Sequence, residues 1–111
     1  MLCNAKTMTN VGESIEIQNI PGVRGTYKHS EISKLFQRVK GKLRRGDITL
    51  AAAIAGCSEN TLERMLKDPA DPHYRNPATS TGLKALMALD TVFLQRKALT
   101  DIYHSRMRRL A

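Results

Sequence analysis

The chain has 111 residues, enough for one compact domain with tails, and 41% are apolar. Tryptophan is absent and aromatics make up 5%, so Leu, Ile, Val, Met and Ala must fill the core. Eighteen Lys and Arg against ten Asp and Glu give a formal charge of +8; such an excess suits a polyanionic partner, since clustered cations gain free energy by displacing the counterions condensed on phosphates.

Cys3 and Cys57 are far apart, Cys3 in a polar tail and Cys57 in an apolar helical context. No disulfide framework is expected, which suits a reducing compartment. No apolar run reaches the roughly 20 residues of a membrane span, and the N-terminus has no charged-then-apolar signal pattern. These features together read as cytoplasmic.

Residues 1–28 are polar and form an N-terminal arm. Within them Ser14-Ile15-Glu16-Ile17-Gln18 alternates and then meets Pro21-Gly22. Alternation before a turn dipeptide suggests a short strand. A lone strand needs a partner, which a second copy of the chain could supply, and the alternative is a flexible tail.

From Ser30 the pattern is helical. Ile32, Leu35, Phe36, Val39 and Leu43 fall on one face, Ser30 and Glu31 suit the helix start, and Gly46 ends it. Lys34, Arg38, Lys40, Lys42, Arg44 and Arg45 crowd its later part. This basic run can track a phosphate backbone, or serve as a solvated helix end that complements the C-terminal dipole. A second helix covers residues 48–55, capped by Asp47 and stopped by Gly56. A third, capped by Ser58, covers residues 59–67 with Leu62, Met65 and Leu66 inward. Pro69 and Pro72 lie in a polar loop over residues 68–76. A fourth helix is predicted over 81–89 with Leu83, Leu86, Met87 and Leu89 inward. A fifth, over 91–110, places Val92, Leu99, Ile102, Tyr103 and Leu110 at mostly helical spacings.

The pattern predicts an all-α bundle of four to five helices with an N-terminal arm. Its parts are the arm (1–28), a central helical domain (29–90) and a C-terminal helix (91–111) with apolar residues to spare for dimerisation.

The stretch from Ile48 to Lys67 carries the most information. Two helices joined steeply by a short turn need a small residue where they touch, and Ala52 is there. They need a residue tolerant of positive φ, and Gly56 follows four positions on. Ala55, Cys57, Leu62 and Met65 supply apolar contacts. This stretch resembles the λ-repressor/Cro-like (Xre-type) helix-turn-helix family. The likeness extends to Asn76-Pro77 and the Leu-rich segment Thr81-Gly82-Leu83-Lys84-Ala85-Leu86-Met87-Ala88-Leu89, a pattern also similar to the antitoxin branch of that family. It spans about residues 30–90. The longer loop at 68–75, and Asp90 where Gly commonly follows the last Leu, depart from the pattern.

The resemblance implies a λ-repressor-like fold and a repressor that binds double-stranded DNA as a homodimer. Its third helix would enter the major groove, presenting Glu59, Asn60, Glu63, Arg64 and Lys67 to base edges. Asn60 suits adenine and Arg64 suits guanine. Glu63 can instead pair with Lys67 along the helix, and Glu59 is compatible with either a cytosine contact or a surface role. Thr49, Ser58, Thr61, Lys42, Arg44, Arg45, His73, Arg75 and Asn76 are phosphate-contact candidates. Two other readings accompany this one: an antitoxin that binds a partner toxin, and a helical protein-interaction inhibitor. His29, His73 and His104 lie far from one another and from ligand-spaced partners. No metal, cofactor or catalytic constellation is expected.

Overall fold

The computed structural model describes residues 14–110. The fold is mixed α/β rather than all-α: a two-stranded antiparallel sheet joins four helices among the described residues. In chain order these are β1 (Ser14–Ile20), β2 (Val23–Lys28), a 3-10 turn (His29–Glu31), α1 (Ile32–Lys40), α2 (Asp47–Ala55), α3 (Glu59–Leu66) and α4 (Ser80–Leu110).

The hairpin is what the helical expectation left out. Pro21-Gly22 turns the chain, with Gly22 at φ +80°, and β1 pairs with β2 of the same chain rather than with a second copy. Ile15 faces Tyr27 and Ile17 faces Gly25 in the register. A register irregularity between Ile17 and Ile20 changes the parity of the strand. It brings Ile20 inward with Ile15 and Ile17, although a strict two-residue alternation would turn Ile20 outward. These three side chains and Val23 are buried against the helices, chiefly α4 and α1. Burial of one face by the helices stabilises two strands that would be marginal alone. The expected arm is therefore part of the core from Ser14 onward, while residues 1–13, including Cys3, lie outside the described residues.

The first helix is shorter than its apolar pattern suggested. It starts at Ile32, after Glu31 folds back to accept a hydrogen bond from the Lys28 amide at 2.8 Å. It stops at Lys40, where Gly41 is the C-cap and the Lys42 amide donates to Val39 at 2.8 Å. A glycine inside a helix costs conformational entropy, so Gly41 rather than Gly46 marks the end. Residues 41–46 form a turn. Asp47 is buried at the first position of α2; its carboxylate accepts from the Arg44 amide at 2.7 Å and pairs with Arg96 of α4. Gly46, at φ +88°, occupies the N-cap that Asp47 was expected to fill.

The fourth and fifth predicted helices are one continuous element of 31 residues. No Gly or Pro lies near the expected break. Asp90 is instead a mid-helix clamp, its two carboxylate oxygens accepting from the Asn19 amide at 2.8 Å and from Asn19 Nδ2 at 3.0 Å. Leu86, Leu89, Val92 and Phe93 point into the core. Met87, expected inward, is 52% exposed because it lies on the side of α4 turned away from the core. Leu99 (68%), Ile102 and Tyr103, placed at helical spacing in the second half, are on the surface beyond Phe93, the last described side chain that α4 buries. No helix among the described residues is long and apolar enough to cross a membrane.

Candidate nucleic-acid interface

Helices α2 and α3 meet through a turn of three residues. Gly56 adopts φ +76° and its amide donates to Ala52 at 2.9 Å, while the Cys57 amide reaches the same carbonyl at 3.1 Å. A left-handed residue there ends α2 and redirects the chain. Ser58 then caps α3, its Oγ accepting from the Thr61 amide at 3.1 Å. Ala51 and Ala52 are buried on the α2 side and Leu62, Met65 and Leu66 on the α3 side. Ala55 and Cys57 are half-buried against the same core.

This packing leaves the other side of α3 in solvent. Glu59, Asn60, Glu63 and Arg64 are exposed, and Lys67 is half-buried at the C-cap. The five side chains nominated for base contact therefore sit on or beside one helix, and four of them are exposed, Glu59 among them although Thr49 donates to it. No ion pair joins Glu63 to Lys67; among the described residues the Asp47–Arg96 pair is the only one.

The nominated backbone contacts divide into two groups. Several are already occupied within the molecule. Thr49 Oγ1 donates to Glu59 Oε1 at 3.1 Å and ties the first turn of α2 to the start of α3. The hydroxyls of Ser58 and Thr61 are 2.8 Å apart and hydrogen-bonded to each other. Asn76 Oδ1 accepts from the Ala78 amide at 3.0 Å and from Ser33 Oγ at 3.1 Å, so this side chain organises the loop before α4. The Arg75 amide donates to the Arg64 carbonyl at 3.2 Å, and Gln37 Nε2 to the Lys67 carbonyl at 3.0 Å. The long loop is thereby folded back against the end of α3. The side chains of Arg75 and His73 remain exposed.

The second group is the basic turn. Arg44 and Arg45 are exposed, and Lys42 lies over the hairpin at Gly22. The turn runs directly into the end of α2 that Thr49 ties to Glu59. Beside it, Arg24, Arg44, Arg96 and Lys97 converge on a cleft backed by Phe93. Arg96 lies 4.4 Å from the centre of the Phe93 ring and is held by Asp47, a fixed cation–π arrangement. Arg24, Arg96 and Lys97 were not singled out from the sequence. Arg24 stands in what reads as a tail and the other two in a peripheral helix, so only the net charge hinted at them. Among the described residues, no three His, Cys, Asp or Glu side chains gather to hold a metal ion.

Comparisons with protein-family models, with curated proteins and with solved structures return no match for this chain.

Proposed function

We propose that this chain is a sequence-specific regulator that binds double-stranded DNA, of the λ-repressor-like helix-turn-helix kind, acting as a homodimeric repressor on a palindromic operator in the cytoplasm. The observation that carries the reading is the outward side of α3. A short helix, capped at Ser58 and anchored by three buried side chains, holds Asn60, Glu63 and Arg64 in solvent on one polar face. A helix of this kind fits the major groove, where Asn60 can bond adenine through two atoms and Arg64 guanine likewise. Glu59, braced by Thr49, positions the start of the helix rather than reading a base. The cations of the basic turn and of the neighbouring cleft supply phosphate contacts, which set orientation and most of the affinity without carrying sequence information.

Selection of bound duplexes from a random pool tests this directly. The expected result is a two-fold symmetric consensus bound with an affinity that falls steeply as salt rises. Weak, salt-independent association without a consensus would overturn the proposal and favour a protein partner for α3, which the exposed Glu59 and Glu63 would then serve.

A further inference from the structure

The C-terminal end of α4 runs past the body it packs on. Phe93 is its last buried residue, and from Leu94 to Arg109 every side chain is exposed or half-exposed. Past Thr100, the last residue of α4 that lines the cleft with the hairpin, residues 101–110 extend about 15 Å beyond the body at 1.5 Å per residue. A helical segment of this length is marginal in water without packing. Yet from Leu94 on α4 carries large apolar side chains: Leu94 and Ile102 continue a stripe that begins over the body, while Leu99, Tyr103 and Met107 lie to one side of it.

The stripe runs Met87, Thr91, Leu94, Ala98, Ile102 and Ser105, spaced by three or four residues along one side of α4. None of the six is charged, although the helix around them is rich in cations. Large and small residues alternate along it: Met87, Leu94 and Ile102 against Thr91, Ala98 and Ser105. Ile54 of α2 lines a groove together with Met87 and Thr91, and Leu50, one turn earlier on the same helix, is likewise half-exposed.

We infer that α4 pairs antiparallel with α4 of a second copy, about a two-fold axis at Ala98, so that each overhang lies along the α2–α4 groove of the other subunit. The stripe is self-complementary in this register. Ala98 meets the partner's Ala98, Leu94 meets the partner's Ile102, and Thr91 meets the partner's Ser105, so the central levels are filled on both sides of the axis, while at each end Met87 lies against the aliphatic stem of the partner's Arg109. The small residues let the helices approach closely, as seams with a repeat near 3.5 residues require. An isologous contact of this kind closes on itself as a dimer. Leu50, Ile54, Met87, Leu94 and Ile102, each about half exposed, together bring on the order of 1,000 Å² from two copies, the floor for a specific interface. The centre of the stripe is uncharged, so two chains of charge +8 meet there without opposing cations, and the like charges, Lys84 at the groove and the partner's Arg108 and the partner's Arg109, are confined to the solvent-facing ends of the pairing. The inference rests on the dimeric part of the proposed function and is tested without DNA.

Light scattering on the full chain, free of DNA, is expected to give a dimer. Leu94→Glu and Ile102→Lys each give monomers with a folded body, any loss of helical circular dichroism being limited to the freed overhang, since both positions lie outside the core. Mixing the two variants restores a dimer, because the heterodimer sets Glu against Lys at one end of the axis and keeps Leu against Ile at the other. In a Cys3→Ser/Cys57→Ser background, oxidised Ala98→Cys cross-links subunits, whereas Thr100→Cys, on the opposite side of the helix, does not. A monomeric wild-type chain, a Leu94→Glu dimer, or cross-linking at Thr100→Cys but not at Ala98→Cys would each overturn the arrangement. Should a helical change blur the charge variants, the cross-linking pair decides. A monomer that still selects a DNA sequence would sink this interface and leave the DNA-binding reading standing.

Discussion

Gly56 and Gly82 lack a side chain for different physical reasons, and substitution separates them. At Gly56 the space around a Cβ is empty, but φ is +76°, a conformation that costs an L residue about 1–2 kcal/mol. At Gly82, buried in the first turn of α4, a Cβ would overlap the backbone of Pro77. The Gly82 amide is fixed by Thr79 Oγ1 at 3.1 Å, so the helix start cannot slide away freely. Gly82→Ala is expected to cost about 3 kcal/mol or more, a severe case of overpacking, and Gly56→Ala no more than about 2 kcal/mol. Urea unfolding followed at 222 nm would rank them; a Gly82→Ala protein as stable as Gly56→Ala would show that the Pro77 loop yields. The sequence marked Gly56 by its place four residues after Ala52. Gly82 carried no such mark, because its constraint comes from a loop crossing close to the helix.

At the scale of elements, α2 and α3 were legible because every signal that defines them is local. Ser58 caps through the third residue after it, Gly56 turns the chain by its own φ, and Leu62, Met65 and Leu66 repeat at helical spacing. The outward side of α3 follows from the inward one. The end of the first helix was misplaced because its apolar period runs on to Leu43, which packs against the core from a turn instead of from a helix. That misplacement matters for the interface: Lys42, Arg44 and Arg45 sit on a turn beside α2, not along a helix side. Arg64 and Lys42 should therefore behave differently on DNA. Arg64→Ala is expected to relax discrimination at one base pair, by about 1–3 kcal/mol. Lys42→Ala should weaken binding to operator and scrambled duplex alike and reduce the salt slope by about one. Fluorescence anisotropy titrations on both duplexes distinguish the two, and equal losses for Arg64→Ala would remove it from base readout.

At the scale of the molecule, what the sequence did not disclose is long-range burial. β1 shows alternation and Pro21-Gly22 shows a turn, but β2 reads Val-Arg-Gly-Thr-Tyr-Lys, with only Val23 buried and no apolar alternation to announce a strand. Its pairing is settled by the helices beneath the hairpin, and by Asp90, whose clamp on Asn19 spans 71 positions of sequence. The same long-range logic makes α4 one helix: the body supports its first half, and nothing local interrupts the second. If the hairpin were an appendage, truncating its inward residues would leave the helical body untouched. Ile17 is instead fully buried among the residues of the single core cluster, which draws on all four helices. Ile17→Ala should therefore lower the stability of the whole domain by about 2–5 kcal/mol, the range for removing a large aliphatic side chain from a core. The helical signal at 222 nm should be lost in one transition at lower urea, together with any DNA binding, although Ile17 lies on a strand. A variant in which the helices melted at the wild-type midpoint would mean that the sheet and the helices fold as separate units.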